Sequence, residues 1–135
     1  MNTDLAAQRA FDRMRKIGFD QLSDEDKILA TIWTFAAAVS NRGFAEYYSR
    51  PEGSMAFFAP TALKIIGALD MAKIAAQANE VFGADGPSRD RDARRKQLGS
   101  VGPDAKSRFA ALQTKFFESP DDVDELMEMY INRKP

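Results

Sequence analysis

The amino-acid sequence predicts an all-α fold, a single-domain bundle of about six to eight helices. Apolar residues recur at three- and four-residue spacings along most of the chain, which is the period of amphipathic helices. Serine, aspartate and proline precede these stretches and glycine follows them, at the places where helices begin and end. We find no convincing strand and no repeat. A chain of 135 residues, 44% of them hydrophobic, can bury a core without disulfides or metals.

The first predicted helix runs from about Asp4 to Ile17 and ends at Gly18, a residue that suits the C′ position. Ser23 is the expected N-cap of the second helix, whose first turn contains three acidic residues. Asp26 stands where it could complete an approximate capping box with Ser23. Apolar residues cover more than half of the circumference of this helix as far as Val39. We therefore expect it to be the central helix of the core.

The chain is expected to turn at residues 40–43 and to form a short helix directly afterwards. Residues 49–54 have the composition of a turn. Pro60 opens a fourth helix, because its missing N–H costs nothing in a first helical turn. The residues expected on the buried face of this helix are Leu63, Ile66 and Leu69. An amphipathic helix then spans residues 71–82 and ends at Gly83.

The second half of the chain begins with a charged segment, residues 84–103, that has almost no apolar face. We expect a mobile loop or a solvent-facing helix there. The amphipathic pattern returns with Phe109, Leu112 and Phe116, and Pro120 with an acidic first turn opens a last helix. The predicted organisation is one helical domain, 1–135, with a charged segment at 84–103 and C-terminal helices at 104–133.

The composition excludes several kinds of active site. The chain contains no cysteine and no histidine, which removes disulfides, thiolate zinc sites, a cysteine nucleophile and the commonest general base. It has no glycine-flanked serine elbow, no phosphate-binding loop and no Ser-x-x-Lys pattern. We therefore predict no catalytic residue, no metal, no cofactor and no enzymatic activity.

The sequence also gives an expectation for location. The amino-terminal residues lack the basic and apolar pattern of a signal peptide. The longest apolar stretch, around residues 28–39, is shorter than the roughly 20 residues that cross a bilayer. We expect a cytoplasmic protein without a membrane partner.

An acidic group near the C-terminus is the first candidate binding surface. Its members are Asp121, Asp122, Asp124, Glu125 and Glu128. Carboxylates suit hard cations, but the spacing and the glycine of an EF-hand loop are absent. Acidic residues in the first turn of a helix are expected from the helix dipole alone. We therefore retain the group as a possible surface for a protein, with no metal.

A basic run, Arg89 to Lys96, could contact phosphate groups. It lacks interleaved aromatic residues and contains two aspartates, so a solvated face is the preferred interpretation. The formal net charge of the chain is −1, from 19 basic and 20 acidic residues. Direct binding of nucleic acid through this run is therefore not expected.

An aromatic cluster lies in the middle of the chain and could be core or could line a ligand pocket. It consists of Phe44, Tyr47, Tyr48, Phe57 and Phe58. Aromatic residues at helical spacing usually belong to the core. Adjacent tyrosines cannot share one helix face, so we expect one of Tyr47 and Tyr48 to be exposed or to reach a partner with its hydroxyl.

Residues 22–27, Trp33 and residues 39–48 together resemble the DNA-mimic-protein family of bacteria. Residues 39–48 read Val-Ser-Asn-Arg-Gly-Phe-Ala-Glu-Tyr-Tyr. The later Ile66-Gly67-Ala68 and the helix ending at Val81-Phe82 also fit the pattern of the family. The likeness covers about residues 22–83. The resemblance implies an all-α fold. The member that gives the family its name displays carboxylates in a DNA-like arrangement, and with them it occupies DNA-binding proteins. Arg42 and Glu46 replace a glycine and a glutamine of the family pattern.

The turn of this motif has a structural explanation. The residues we assign to it are Trp33, Asn41, Gly43 and Phe44. Asn41 is expected to cap the end of the second helix or the start of the third. Gly43 supplies conformational freedom, and Phe44 is expected to enter the core.

The leading functional hypothesis is a non-enzymatic protein-interaction domain that binds a DNA-binding protein through a local acidic surface. A net charge of −1 argues against mimicry by the whole molecule, because duplex DNA carries one negative charge per ~1.7 Å. The candidate binding residues are the acidic group at 121–128 together with Glu46, Tyr47 and Tyr48. The alternative is a small-molecule-binding or hydrolytic domain with an aromatic pocket near Tyr47, Tyr48 and Phe58. The sequence does not determine whether the protein forms a homo-oligomer.

Overall fold

The helical periodicity of the sequence is realised in eight α-helices within residues 3–133. The computed structural model describes residues 3–133, and this range contains no strand. The α-helices are α1 (Thr3–Ile17), α2 (Asp24–Arg42), α3 (Phe44–Ser49), α4 (Ala59–Ile65), α5 (Leu69–Glu80), α6 (Arg91–Ser100), α7 (Asp104–Glu118) and α8 (Val123–Arg133). Two 3₁₀ helices, Phe19–Gln21 and Pro51–Phe58, lie between them. The predicted all-α class and the number of helices are confirmed.

The ends of the first two helices follow from local chemistry. Gly18 has a positive φ of 86° and its N–H donates to the Met14 carbonyl at 2.8 Å. The Ser23 hydroxyl accepts the Asp26 N–H at 3.1 Å, as expected of an N-cap. The Asp26 carboxylate does not return to Ser23. It receives the Arg13 guanidinium at 2.6 and 2.7 Å and so ties α2 to α1.

Helix α2 lies at the centre of the core, as its broad apolar surface predicted. Its residues Ile32, Phe35 and Val39 are almost completely buried. It packs against α1, α3, α4, α7 and the Pro51–Phe58 helix. The arrangement places the C-terminus of α2 and the turn after it between α3 and α7.

Two local predictions are wrong. Residues 49–54 do not form a simple turn, because Pro51 starts a 3₁₀ helix that continues to Phe58. Leu69 does not lie on the buried face of α4, because that helix ends at Ile65 and the chain reverses at Gly67. Leu69 instead begins α5 and is 65% exposed.

Within the charged segment, residues Arg91–Ser100 form α6. Helices α7 and α8 follow, and Met127 of α8 is buried against the core. Within residues 3–133 no helix combines the length and the apolar character needed to cross a membrane.

Candidate interaction surfaces

The acidic group near the C-terminus does not act as one unit. The Asp121 carboxylate accepts the backbone N–H of Met71 at 2.8 Å and therefore caps the N-terminus of α5 from a distant part of the chain. Asp122 precedes α8, and its carboxylate accepts the Glu125 N–H at 3.0 Å. These two aspartates thus satisfy backbone N–H groups in the first turns of two helices.

The other three carboxylates of the group, Asp124, Glu125 and Glu128, are exposed on α8. None of them makes a side-chain hydrogen bond or an ion pair with the residues between 3 and 133. Asp124 and Glu128 are four positions apart, so they share one face of the helix. Together the three residues form the α8 acidic face. In the described part of the chain no cluster of acidic side chains has the arrangement of a metal site.

Both tyrosines of the motif are buried, which contradicts the expectation that one of them is exposed. Tyr47 and Tyr48 are each 1% exposed, because α3 is enclosed by α2, α6, α7 and the Pro51–Phe58 helix. The Tyr48 hydroxyl donates to Asn79 Oδ1 at 2.6 Å, and Asn79 donates to the Ala56 carbonyl at 2.9 Å. The Tyr47 hydroxyl has no hydrogen-bond partner among residues 3–133. Burial raises the pKa of both side chains above the usual value for tyrosine.

The three aromatic residues expected to line a pocket, Tyr47, Tyr48 and Phe58, pack against other rings. Tyr47 packs edge-on against Phe35 with ring centroids 5.5 Å apart, and Tyr48 stacks on Phe109 at 5.5 Å. Phe58 is half-buried and packs on Phe19 at 5.6 Å. These ring contacts belong to the packing between the helices of the core.

The turn between α2 and α3 depends on glycine and on a distant glutamine. Gly43 has a positive φ of 91° and its N–H donates to the Val39 carbonyl at 3.0 Å. Gln113 of α7 donates its side-chain N–H to the same carbonyl at 2.6 Å. Asn41 does not cap either helix, because it lies exposed within α2 and the first turn of α3 has no side-chain cap. Phe44 enters the core as expected and is 1% exposed.

The remaining motif residues have different positions. Trp33 is half-buried on α2, where its ring lies 5.8 Å from that of Phe11 in α1. Glu46 is exposed on α3 and forms an i,i+4 ion pair with Arg50 at 3.9 Å. Glu46 is thus available at the surface, whereas Trp33 contributes to the contact between α1 and α2.

The basic run is held to the protein by a buried arginine. Arg94 is 0% exposed, although a solvated face was the preferred interpretation of this run. Its Nε donates to the Tyr48 carbonyl at 2.5 Å and its Nη2 donates to the Arg50 carbonyl at 2.6 Å. Its Nη1 contacts the Ser54 hydroxyl and two carbonyls of the preceding loop at 3.1–3.3 Å. Burial lowers the pKa of this guanidinium, and no carboxylate within residues 3–133 pairs with it.

Two neighbouring arginines also bind the protein itself. Arg91 donates to the Ser49 carbonyl at 3.1 Å, so Arg91 and Arg94 together satisfy three consecutive carbonyls, those of residues 48–50. Positive charge is favourable at the C-terminus of a helix such as α3. Arg89 pairs with Asp20 at 2.8 Å and lies over the Phe57 ring at 4.4 Å. Most of the run is therefore occupied by contacts within the chain.

Gly53 makes the close approach of Arg94 possible. A Cβ at this position would lie 2.7 Å from the Tyr47 carbonyl oxygen and 2.8 Å from Arg94 Nε. Both distances are shorter than the contacts that Cβ atoms make in proteins, so glycine is required where the guanidinium meets the 3₁₀ helix. The sequence did contain a signal for this burial. Arg94, Leu98 and Val101 have the i, i+4, i+7 spacing of an inward-facing stripe.

A cleft of about 580 Å³ lies between α3, α6 and α7. Its apolar surface is formed by Phe44, Leu98, Val101 and Phe109. The Phe44 and Phe109 rings are stacked with centroids 6.1 Å apart and are buried, so they form the floor. Arg42, Glu46 and Lys106 stand at the exposed edge. We call this site the α3–α7 cleft.

A second cleft, of about 760 Å³, lies between α1, the Pro51–Phe58 helix and the loop before α6. Phe11, Met14, Phe19 and Met55 supply its apolar surface, and Arg15, Glu52, Arg89 and Asp90 supply charges of both signs. These charges do not favour a ligand of one particular sign.

Comparison with known proteins assigns the chain to a family. A family model described as DMP19-like protein matches residues 20–134 of the chain, including the charged segment and the C-terminal helices. The match therefore extends well beyond residues 22–83, which contain the sequence motif. Searches of curated proteins and of solved structures give no match. The chain belongs to the DMP19-like family, that of proteins like DNA mimic protein 19.

Proposed function

We propose that the chain is a non-enzymatic, cytoplasmic protein-interaction domain that binds a DNA-binding protein through the α8 acidic face. Membership of the DMP19-like family supports a role in protein interaction related to DNA mimicry. No enzymatic activity is known for this family. The observation that carries the proposal is that Asp124, Glu125 and Glu128 are exposed and have no partner within residues 3–133.

The charge of the molecule limits how far mimicry extends. The formal net charge is −1, so the whole surface does not present the dense negative charge of a duplex. On α8, however, Asp124 and Glu128 lie about one helical turn apart, with Glu125 beside them. An acidic face of this size can occupy the phosphate-binding residues of a partner, which are arginine and lysine in most DNA-binding proteins.

The experiment is an affinity capture from the source cell with two matched variants. The first variant neutralises the α8 acidic face with Asp124→Asn, Glu125→Gln and Glu128→Gln. Asp121 and Asp122 are left unchanged because they cap helices. The control variant removes three other exposed carboxylates with the same change in net charge, and its substitutions are Asp12→Asn, Glu80→Gln and Asp85→Asn.

We expect wild type and control to capture the same protein and the α8 variant to lose it. The purified partner should bind duplex DNA, and added DNA should displace it from the chain. Binding should weaken as salt increases, because the contact is between charges. Recovery of the same partner by the α8 variant, or a partner that binds DNA and the chain at the same time, would refute the proposal.

A further inference from the structure

The α3–α7 cleft has the composition of a ligand site, and none of its lining residues belongs to the α8 acidic face. Its volume of about 580 Å³ falls within the range of pockets that hold small molecules. Buried Phe44 and Phe109 form the floor, and half-buried Leu98 and Val101 form the wall towards α6. Such a surface favours an apolar ligand body.

Small residues keep the cleft open. Ala45 on α3 and Ala110 on α7 line it and are exposed, and Gly43 and Gly102 line it without any side chain. Larger side chains in place of the exposed Ala45 and Ala110 would fill the space without entering the core. The cleft is therefore a consequence of small residues on α3, on α7 and in the turns that precede these two helices.

The charges at the edge of the cleft have a net positive sign. Arg42 and Lys106 take part in no ion pair within residues 3–133. The carboxylate of Glu46 is already paired with Arg50. Two cations next to an apolar floor complement a ligand that has one anionic end and one apolar end.

From this combination we infer that the α3–α7 cleft binds a small amphipathic carboxylate, an acyl chain with a terminal carboxyl group. The acyl chain of the ligand lies on Phe44, Leu98, Val101 and Phe109. The carboxylate meets the guanidinium of Arg42 and the ammonium of Lys106. This inference is independent of the proposed function, because no residue of the α8 acidic face lines the cleft.

Decanoate is the test ligand, and decanol is the matched ligand without charge. Binding is followed by calorimetry and by the shifts of methyl resonances of Leu98, Val101, Ala45 and Ala110. We expect decanoate to bind at least about tenfold more tightly than decanol, which corresponds to one hydrogen bond to a charged group. The shifted methyl groups should belong to the cleft.

Two pairs of variants complete the test. Ala110→Leu should abolish binding by filling the cleft, whereas Ala111→Leu, an exposed neighbour on α7 that does not line it, should bind as wild type does. The double variant Arg42→Gln, Lys106→Gln should lose about tenfold in affinity for decanoate and little for decanol. The double control Arg108→Gln, Lys115→Gln makes the same change in net charge on α7 alone. Circular dichroism confirms that each variant is folded.

Three results would overturn the inference. The first is equal affinity of wild type for decanoate and decanol, or no affinity for either. The second is decanoate binding by Ala110→Leu that matches wild type. The third is a set of shifted methyl groups outside the cleft. Neutralising the α8 acidic face should leave decanoate binding unchanged, which separates this site from the interaction with a DNA-binding protein.

Discussion

Tyr47 and Tyr48 are adjacent and equally buried, yet their hydroxyls differ in what they contact. Tyr48 donates to Asn79, whereas the Tyr47 hydroxyl finds no acceptor among residues 3–133. Removal of a bonded hydroxyl leaves its partner without a donor, and removal of an unpaired one relieves a desolvation penalty. Substitution of phenylalanine should therefore affect the free energy of unfolding differently at the two tyrosines.

The prediction concerns the two tyrosine-to-phenylalanine variants. Tyr48→Phe should lower the free energy of unfolding by about 1–2 kcal/mol, because Asn79 Oδ1 loses its donor. Tyr47→Phe should leave it unchanged or raise it by up to about 1 kcal/mol. Urea unfolding at neutral pH measures both values. Equal losses in the two variants would show that the Tyr47 hydroxyl has a favourable partner after all.

The raised pKa values of these tyrosines also predict a pH dependence. Burial keeps both hydroxyls protonated in the folded chain at pH values where the unfolded chain, with pKa near 10, ionises. Stability is thus unaffected below pH 10 and falls above it, because the unfolded state then binds fewer protons. Each tyrosine contributes a slope of up to about 1.4 kcal/mol per pH unit. Unfolding at pH 9, 10 and 11 should show a shallower loss in Tyr47→Phe than in wild type.

At the scale of the element, α6 is unusual because hydrogen bonds rather than apolar contacts attach it to the domain. Arg94 is its only fully buried side chain in the described structure, and Leu98 is half-buried. The acceptors for Arg94 and Arg91 come from the end of α3 and the residue that follows it. The position of α6 therefore depends on one guanidinium and its neighbours.

Arg94→Ala should destabilise the protein by about 3–5 kcal/mol, because it leaves several buried carbonyls without donors. Arg95→Ala, an exposed neighbour in the same helix, should change stability by less than about 0.5 kcal/mol. Urea unfolding compares the two variants. Similar stabilities would mean that water replaces the guanidinium at little cost.

The end of α1 and the start of α2 were predictable from the sequence, and the contacts between distant elements were not. Gly18 and Ser23 end and begin helices through bonds to residues three or four positions away, which a local pattern reveals. Asp121 bonds to a backbone N–H that is 50 positions away, and Arg94 bonds to carbonyls 44 and 46 positions away. No local pattern names such partners, so the acidic group and the basic run were both interpreted as more exposed than they are.

At the scale of the whole molecule, the hydrophobic core includes residues that lie outside the region matched by the family model. The match begins at residue 20, but Ala7 and Ala10 of α1 are completely buried. Phe11 of the same helix contacts Trp33, and Arg13 binds Asp26. Helix α1 is therefore a structural part of this chain that the shared family region does not include.

Deletion of residues 1–18 should expose the side of α2 that α1 covers. We expect a lower Tm, a red shift of Trp33 emission and binding of a hydrophobic dye. The single tryptophan makes the fluorescence specific to this contact. A shortened chain with unchanged Tm and emission would show that α1 contributes nothing to the stability of the remaining helices.

The attachment of α6 has a consequence for the order of events in time. Its hydrogen-bond acceptors exist only after α3 and the following 3₁₀ helix have taken their positions, and few apolar contacts help it to form earlier. Docking of α6 should thus be a late step in folding and its release an early step in opening. Trypsin cleaves the peptide bonds that follow arginines such as Arg91 and Arg94. A protease would therefore report the detachment of this helix before the rest of the domain unfolds.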